Sequence, residues 1–285
     1  MNLAIASGKG GTGKTTVALC LARVSCEPVC YADCDVEAPN GHLFLRPKIE
    51  AREEIRVMVP RVDESLCTYC GKCREVCRFN AIAVLPKSVM IFDELCHGCG
   101  GCVLACPERA MREESRPIGN VEKGSADVVA FVQGTLNVGE AMSPPLIRAV
   151  KKRLPVDRTS IIDAPPGTSC PMIAAVRDAD VCLLVTEPTP FGLNDLKLAI
   201  ETVRALGLPF GVVINRNGIG DGRVDDYCRE EGISVVARIP ESRAVAEAYA
   251  KGRIAVDIAP QLTSLFQDTW DFARRFTGHR KAAFR

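Results

Sequence analysis

The sequence predicts an α/β fold, in which a doubly wound and mostly parallel sheet is interrupted by a small inserted α+β domain. Three observations carry this prediction. Short, continuously apolar runs alternate with segments of helical periodicity, which is typical of a parallel sheet buried on both faces. A glycine-rich loop separates the first apolar run from the first helical segment. Eight of the fifteen cysteines fall within residues 61–115 and interrupt the alternation.

The sheet is predicted from runs on both sides of the cysteine-rich segment. Before it, a strand over Asn2–Ala6 leads through the glycine loop into a helix over Lys14–Val24, and a second strand follows at Val29–Ala32. After it, helical periodicity lies over Leu193–Leu206 and Ser242–Ala250, each followed within two residues by a glycine that is typical of a helix end. The strands predicted there are Val128–Phe131, Ser160–Ile162, Val181–Val185, Phe210–Ile214 and Val235–Ile239.

Composition limits the class of protein. The 285 residues carry a formal net charge of +1, which gives no general reason to expect nucleic acid or an anionic membrane as a partner. No apolar run approaches the ~20 residues that span a bilayer, and no signal peptide precedes the glycine loop. We therefore expect a cytoplasmic protein. In that compartment cysteines serve as metal ligands or buried thiols rather than as disulfides.

The cysteine-rich segment contains an internal repeat with the spacing of an iron-sulfur protein. The pattern from Cys67 to Cys77 recurs 29 residues later, from Cys96 to Cys106. With Pro107 the second copy reads C-x2-C-x2-C-x3-C-P, the run of bacterial two-cluster ferredoxins, in which the fourth cysteine ligates the other cluster. Two [4Fe–4S] clusters are thereby predicted, the first on Cys67, Cys70, Cys73 and Cys106 and the second on Cys77, Cys96, Cys99 and Cys102.

Domain boundaries follow from the repeat. Its two half-modules predict a bacterial-ferredoxin-like domain over residues 61–115, inserted into an α/β domain formed by residues 1–60 and 116–285. The flanks Pro60–Leu66 and Glu113–Gly119 contain charge, proline and glycine. We therefore expect them to be linkers.

Other interpretations of the cysteines concern the metal and its role. Structural zinc would use two C-x2-C pairs, and the duplicated sets of four cysteines disfavour it. Arg78 stands where the first copy would carry a proline, which leaves the cysteine count intact. Bound clusters can transfer electrons, be passed to an acceptor, or hold together a ~55-residue module whose own core is small. The spacing does not choose among these roles.

The glycine-rich loop has the sequence of a phosphate-binding loop. Gly8–Thr15 satisfies G-x-x-x-x-G-K-T and lies between a predicted strand and a predicted helix, as that motif requires. Its backbone N–H groups are expected to cradle phosphate oxygens, while Lys14 reaches the β- and γ-phosphates and the Thr15 hydroxyl ligates Mg²⁺. The predicted nucleotide-binding residues are Gly10, Gly11, Thr12, Gly13, Lys14, Thr15 and Thr16.

Lys9, between Gly8 and Gly10, resembles the signature lysine of the deviant Walker A ATPases, the SIMIBI-class P-loop NTPases that include MinD, ParA, ArsA and the Mrp-type cluster carriers. With the cysteine-rich insert, the chain is similar to the MinD-superfamily ATPases that contain an inserted ferredoxin domain and are associated with Mrp and orange-protein-type partners. This resemblance implies binding of ATP and ADP with Mg²⁺, and slow hydrolysis in a dimer. It also implies that Lys9 crosses the dimer interface to the nucleotide of the other subunit.

The same resemblance implies further site residues. Asp33 and Asp35 end the second predicted strand, where the family has its switch I. Asp35 would position the attacking water and Asp33 would organise the Mg²⁺ shell; ordinary strand-end carboxylates are the alternative. Asp163, within Ile161–Gly167, is similar to the Walker B and switch II segment. Asn215 resembles the asparagine that contacts adenine, although asparagine at a strand end is also common in turns.

Three functions are compatible with these features. Nucleotide-driven closure of a homodimer, or of a heterodimer with a paralogous ATPase, could gate electron transfer to a redox partner. It could instead assist the assembly of an iron-sulfur or other metal cluster, or its delivery to an accepting protein. A MinD- or ParA-like spatial regulator with redox-sensing clusters is the alternative. Low-potential centres favour the first two functions, and the resemblance alone favours metallocofactor maturation.

The C-terminal segment predicts one last helix. Apolar residues recur at helical spacing over Leu262–Phe276, but Asp268 and Asp271 interrupt the polar face that a membrane-binding helix would need. We therefore expect this helix to pack on the sheet rather than to contact a membrane. The basic residues near its end are Arg274, Arg275, Arg280, Lys281 and Arg285.

Overall fold

The computed structural model describes residues 1–277 as a large sheet with helices on both faces and a small cysteine-rich domain at one edge. Its strands are β1 (Asn2–Ala6), β2 (Val29–Asp33), β3 (Lys48–Val62), β4 (Ile82–Leu85), β5 (Ser88–Ile91), β6 (Met111–Ala126), β7 (Val129–Leu136), β8 (Thr159–Asp163), β9 (Val181–Thr186), β10 (Phe210–Asn217) and β11 (Val235–Pro240). Its α-helices are α1 (Lys14–Val24), α2 (Gly41–Leu45), α3 (Lys72–Val76), α4 (Gly101–Leu104), α5 (Pro144–Lys151), α6 (Cys170–Val176), α7 (Pro190–Ala205), α8 (Arg223–Glu230), α9 (Arg243–Ala250), α10 (Ala255–Ile258) and α11 (Thr263–Arg274).

The main sheet confirms the predicted doubly wound, mostly parallel fold. Its strand order is β11-β10-β9-β1-β8-β2-β7-β6-β3, and the strands from β11 to β7 are parallel. Every strand predicted for the α/β part is present, with β7 and β10 ending several residues later than predicted. β1 lies between β9 and β8. The glycine loop that follows β1 is therefore held at the centre of the carboxyl edge, where doubly wound sheets bind ligands.

Each face of the sheet has its own apolar core. One core lies under α5 to α8 and includes Leu146 and Leu196. The other lies under α1, α10 and α11 and includes Leu19, Phe266 and Trp270. The last helix thus packs on the sheet, as its apolar spacing predicts.

Two points about the membrane and the C-terminus follow. Among residues 1–277, no helix combines the length and the apolar character that crossing a bilayer requires. The basic residues Arg280, Lys281 and Arg285 lie outside the described residues.

The connection to the cysteine-rich domain corrects the expectation of linkers. β3 and β6 pair as antiparallel strands along their whole lengths, from the Lys48–Ser125 pair to the Val62–Met111 pair, so all of Glu113–Gly119 and the first three residues of Pro60–Leu66 are strand. We call this pair the ribbon. β3 is the sheet edge and is mostly exposed, so it tolerates Pro60. Its apolar alternation, which is broken at Glu53 and flanked by charged residues, covers Ile49, Ala51, Ile55, Val57 and Val59. Charge and proline therefore suggested a loop where the chain forms strands.

The cysteine-rich domain has an internal twofold pattern that includes the end of the ribbon. Its β4–β5 hairpin pairs Ile82 with Ile91, and positions 29 residues away, Met111 and Val62, pair at the ribbon end. One of the two equivalent hairpins is therefore built from the last residues of β3 and the first residues of β6. A small core of Ile82, Met111 and cysteine side chains lies between them.

Candidate nucleotide-binding and iron-sulfur sites

The phosphate-binding loop is held in its conformation by close backbone packing. Gly13 has a φ of 95°, and a Cβ there would lie 2.3 Å from Nδ2 of Asn215. Nδ2 of Asn215 donates to the carbonyl oxygen of Thr12 at 2.8 Å. A Cβ on Gly8 would lie 2.1 Å from the carbonyl oxygen of Asp195. Glycine is thus required at both ends of the loop, and α1 then begins at Lys14.

A cavity of about 380 Å³ opens beside this loop. Its far side consists of residues from β11, α9 and the C-terminal helices, including Pro240 and Tyr249. Residues predicted for nucleotide contact that line it are Gly10, Gly11, Gly13, Lys14, Thr15, Thr16, Asp35 and Asn215. Lys9, Thr12, Asp33 and Asp163 do not line it. The cavity has the position and the polar lining that a bound nucleotide needs.

Carboxylates gather at the ends of β2 and β8. Asp33 and Asp163 are register partners at the last position of these neighbouring strands. Oδ2 of Asp33 accepts the backbone N–H groups of Asn40 at 3.0 Å and of Gly41 at 2.9 Å, which fixes the segment after Asp35. Asp33 is thus an anchor for that segment, a role that the resemblance did not imply.

Asp163 lacks a donor for one of its oxygens. The Tyr31 hydroxyl donates to Oδ2 of Asp163 at 2.9 Å, whereas Oδ1 is buried and has no hydrogen-bond partner among residues 1–277. Oγ1 of Thr12, in the phosphate-binding loop, is likewise buried without a partner in this range. Buried polar atoms normally have partners. The hydrated shell of Mg²⁺ and a phosphate oxygen would supply the missing ones, so the residues fit these ligands.

Electrostatics at the loop also fit a cation and a polyphosphate. Burial raises the pKa of Asp33 to about 8 and the pKa of Asp35 to about 6. Burial also raises the pKa of Asp163. It lowers the pKa of Lys14, although the negative charges of Asp163 and Asp35 partly oppose this change. A divalent cation beside these carboxylates would favour their ionised forms and lower their pKa values.

Lys9 contacts its own chain. Its Nζ lies 3.1 Å from Oε2 of Glu187, and Nη1 of Arg216 lies 2.9 Å from Oε1 of the same carboxylate. Glu187 was not among the site residues predicted from the sequence. Its position directly after a buried parallel strand could have indicated it, because such a residue lies at the carboxyl edge of the sheet.

The eight cysteines form two separate sets in space. One cavity is lined by Cys67, Cys70, Cys73 and Cys106, and a second one by Cys77, Cys96, Cys99 and Cys102. These are the two sets assigned from the spacing, including the exchange of the fourth cysteine. Within residues 1–277 no group of three or more His, Cys, Asp or Glu is arranged around the position of a single metal ion.

Backbone donors point to sulfur atoms in both halves of the domain. The N–H of Tyr69 lies 3.4 Å from Sγ of Cys67, and the equivalent N–H of Gly98 lies 3.4 Å from Sγ of Cys96. The N–H groups of Ala81 and Ala110 make the equivalent contacts to Cys77 and Cys106, at 3.4 and 3.3 Å. Hydrogen bonds to the ligand sulfur atoms are among the features by which proteins set the reduction potentials of iron-sulfur clusters. The donor sets therefore fit thiolate-ligated clusters.

The fold and the site define a P-loop protein whose loop, carboxylates and cavity suit a magnesium nucleotide. The chain belongs to the family of the CobQ/CobB/MinD/ParA nucleotide binding domain, whose model matches residues 3–256. It is therefore an ATP-binding P-loop protein of the MinD/ParA type.

Two kinds of relatives match different parts of the chain. The uncharacterized protein MJ0579 of Methanocaldococcus jannaschii is 31% identical over 257 residues, which cover 88% of this chain and 90% of that protein. The electron transport protein HydN of Escherichia coli is 30% identical over 107 residues, or 35% of this chain and 57% of HydN. An electron transport protein thus matches a part of the chain, and an uncharacterized protein matches most of it.

Solved structures show the same fold. The septum site-determining protein MinD of Pyrococcus horikoshii, in complex with Mg-ADP, has a TM-score of 0.57 at 19% identity and covers 97% of both chains. The cell division ATPase MinD of Pyrococcus furiosus has the same TM-score at 21% identity, and covers 96% of this chain and 98% of its own.

Proposed function

We propose that this chain binds and hydrolyses ATP as a dimer, and that the nucleotide state controls electron transfer from two [4Fe–4S] clusters to a protein partner. The observation that carries the proposal is the ribbon. Its β6 strand pairs with β7 in the nucleotide-binding sheet from Gly119 to Ala126, and its other end forms one hairpin of the cysteine-rich domain. A stiff two-stranded connection can transmit movement that a flexible linker would not.

The nucleotide roles proposed for the chain follow from the positions of its side chains. Lys14 and the backbone of the phosphate-binding loop bind the phosphates, and the Thr15 hydroxyl ligates Mg²⁺. Asp35, which lines the cavity, would orient the attacking water, and Asp163, whose Oδ1 lacks a partner among residues 1–277, would hold waters of the Mg²⁺ shell. Asp33 would act through the segment that it anchors, because both of its oxygens already accept backbone N–H groups. Asn215 braces the loop beside the base. Mg²⁺ supplies neutralisation of phosphate charge when it is bound.

The cysteine-rich domain supplies the redox part of the proposal. Bound clusters would provide one-electron chemistry, and the eight cysteines provide two complete sets of thiolate ligands. The likeness to HydN, which is an electron transport protein, supports electron transfer over a structural role.

A buried ion pair links the ribbon to both sites. Arg116 of β6 forms an ion pair with Glu140, whose side chain is only 3% exposed, in the loop before α5. Nη2 of Arg116 also donates to the carbonyl oxygen of Asp93 at 3.1 Å, and Arg61 binds the carboxylate of Asp93 through two bonds of 2.7 Å. Asp93 lies three residues before Cys96. The second cluster loop is thus tied to the loop that leads into α5.

The route continues from α5 to the nucleotide. α5 packs against β6 and β7 on one side and against α6 on the other. α6 begins at Cys170, seven residues after Asp163. Between them lies Gly167, whose N–H donates at 3.0 Å to the carbonyl oxygen of Ser7, directly before the phosphate-binding loop. We therefore expect a movement of the segment after Asp163 to reach the second cluster loop through α6, α5 and Arg116.

The test is nucleotide-dependent electron transfer. Protein is purified without oxygen, its iron and sulfide are counted, and the reduced clusters are mixed with a one-electron dye in the presence of Mg·ATP or Mg·ADP. We expect the two rates to differ by at least about fivefold, as a coupling free energy of ~1 kcal/mol gives. Arg116→Met should remove the difference while iron content and ATP hydrolysis persist. Equal rates in wild-type protein would refute the coupling.

A control variant separates loss of the ion pair from general damage to the ribbon. Arg52 also lies on the ribbon and faces Glu122 at 3.8 Å, but its side chain is 64% exposed. Exposed pairs at this distance contribute little. Arg52→Met should keep the difference in rate between Mg·ATP and Mg·ADP. If this variant also lost the difference, any change in the ribbon would abolish the coupling, and the Arg116 ion pair would have no special role.

Cluster delivery is the second candidate, and the exposure of two cysteines favours it. Cys70 and Cys99, the middle ligands of the two C-x2-C-x2-C runs, are exposed, so a thiol of an acceptor protein could approach one corner of each cluster. Delivery predicts that iron leaves the chain for an apo-ferredoxin when Mg·ATP is added. Electron transfer predicts that iron stays bound through repeated reduction.

A further inference from the structure

The signature lysine of the phosphate-binding loop is one of two cations that share a single carboxylate. Lys9 and Arg216 bind the two oxygens of Glu187 at 3.1 and 2.9 Å. The Glu187 side chain is 9% exposed, against 31% for Lys9 and 49% for Arg216. Removal of the cationic partners of a nearly buried carboxylate is costly. Glu187 therefore restrains Lys9 on this chain, while Arg216 leaves the carboxylate one partner if Lys9 departs.

The backbone around Glu187 keeps that carboxylate in place. Glu187 directly follows β9 and is followed by the proline before Thr189. Its carbonyl oxygen accepts the N–H of Thr189 at 2.8 Å, and the Thr189 side chain caps α7 by accepting the N–H of Gly192 at 3.0 Å. Since strand end and helix cap fix this turn, the carboxylate cannot follow Lys9 if that side chain swings outward.

Arg216 is also set in a special conformation. It has a φ of 53° where the pairing of β10 with β11 shifts register, and non-glycine residues seldom adopt this region. It lines the nucleotide cavity and lies 3.8 Å from Glu241, a second and more exposed carboxylate. Arg216 can thus neutralise Glu187 from the side opposite to Lys9, which lowers the penalty when Lys9 leaves.

We propose that Glu187 is a positioning residue that holds Lys9 on its own chain and so raises the protein concentration at which ATP joins two chains. Arg216, which binds the other oxygen of Glu187, lowers the cost of releasing Lys9. The inference rests on the proposed ATP-dependent dimer, together with the contact of Lys9 to the nucleotide of the other subunit that the family resemblance implies. In each chain Lys9 has to leave Glu187 before it can cross the interface. Both chains have to release Lys9 before the dimer forms. The dimer dissociation constant therefore changes by the square of the effect on one chain.

The test measures the dimer dissociation constant by analytical ultracentrifugation with saturating non-hydrolysable Mg·ATP analogue. If the Lys9–Glu187 pair makes release of Lys9 about threefold less favourable in each chain, Glu187→Gln should lower the dimer dissociation constant about tenfold. Arg216→Met should raise it, because Glu187 then has only Lys9. Opposite signs for two residues of one cluster are not expected from a merely structural role. Asp225→Asn is the control, because it removes a partly buried carboxylate that pairs with Arg238 away from the nucleotide cavity, and it should leave the constant unchanged.

Further variants separate this inference from the proposed function. Lys9→Ala should abolish dimers, and its combination with Glu187→Gln should stay monomeric. If Lys9→Ala is monomeric but Glu187→Gln dimerises no more tightly than wild type, the role of Glu187 is refuted alone. If Lys9→Ala dimerises like wild type, the contact across the interface is refuted as well. Thermal melting of Glu187→Gln checks that it is folded, and Glu187→Asp, which retains the charge, should remain close to wild type.

Discussion

Replacement of Gly13 by alanine tests how the phosphate-binding loop is held. In the structure Gly13 has a φ of 95°, and an added Cβ would lie 2.3 Å from Nδ2 and 3.3 Å from Cγ of Asn215. The Asn215 side chain would have to move, and its hydrogen bond to the carbonyl oxygen of Thr12 would be lost. Alternatively, the loop would move and leave the conformation in which its N–H groups face the cavity.

The expected magnitude has two parts. A left-handed conformation at a residue with a Cβ costs ~1–2 kcal/mol. Loss of the bond from Asn215 to Thr12 adds ~0.5–1.5 kcal/mol. If the loop escapes this strain by leaving its binding conformation, the sum of ~1.5–3.5 kcal/mol appears as a loss of nucleotide affinity of about 10- to 400-fold.

The assay is calorimetric titration of Mg·ADP into wild-type and variant protein. Gly207→Ala is the matched control, because Gly207 has a φ of 63° with nothing within 4 Å of the added Cβ, and it follows α7 away from the cavity. It should reduce stability but not nucleotide affinity. In an Asn215→Ala background the clash at position 13 disappears, so Gly13→Ala should cost less there. Affinity of Gly13→Ala within twofold of wild type would refute the reasoning.

Three more predictions concern the two sites. Lys14→Ala should abolish Mg·ADP binding in the same titration, because a 7%-exposed ammonium at the start of α1 has no substitute there, and retained affinity would contradict this role. Tyr31→Phe removes the 2.9 Å bond to Asp163 and should lower the free energy of unfolding in urea by about 1–3 kcal/mol; no change would show that the bond contributes nothing. Removal of iron by a chelator should unfold the cysteine-rich domain, seen as faster amide exchange over residues 67–106 with the main sheet unaffected, because its apolar core is small.

Most of the main sheet could be predicted from the sequence, because its parallel strands are buried on both faces and appear as continuous apolar runs. The helix over Lys14–Val24 has the predicted bounds for a similar reason, since a glycine loop and an apolar stripe mark its start and its buried face. The cysteine sets could be assigned because regular spacing encodes which sulfur atoms come together. These signals are local or periodic.

The ribbon and the Glu187 cluster could not be predicted in the same way. The ribbon is charged, is interrupted by prolines and is exposed over much of β3. The few of its apolar side chains that pack on the core, such as Ile55 and Ile118, are too scattered to indicate two long strands, which depend on their pairing with each other. Lys9, Glu187 and Arg216 are far apart in the sequence and meet only because β1, β9 and β10 are neighbours in the sheet. Strand order is a tertiary property. The partner of Lys9 within the chain therefore needed the structure.

Native mass spectrometry of oxygen-free protein, recorded with and without a non-hydrolysable Mg·ATP analogue, examines both sites at once. We predict a monomer that carries the mass of two [4Fe–4S] clusters, and a nucleotide-bound dimer that carries four. Zinc or no metal in the cysteine-rich domain, or a chain that takes up no nucleotide, would contradict the joint presence of a nucleotide switch and paired iron-sulfur centres.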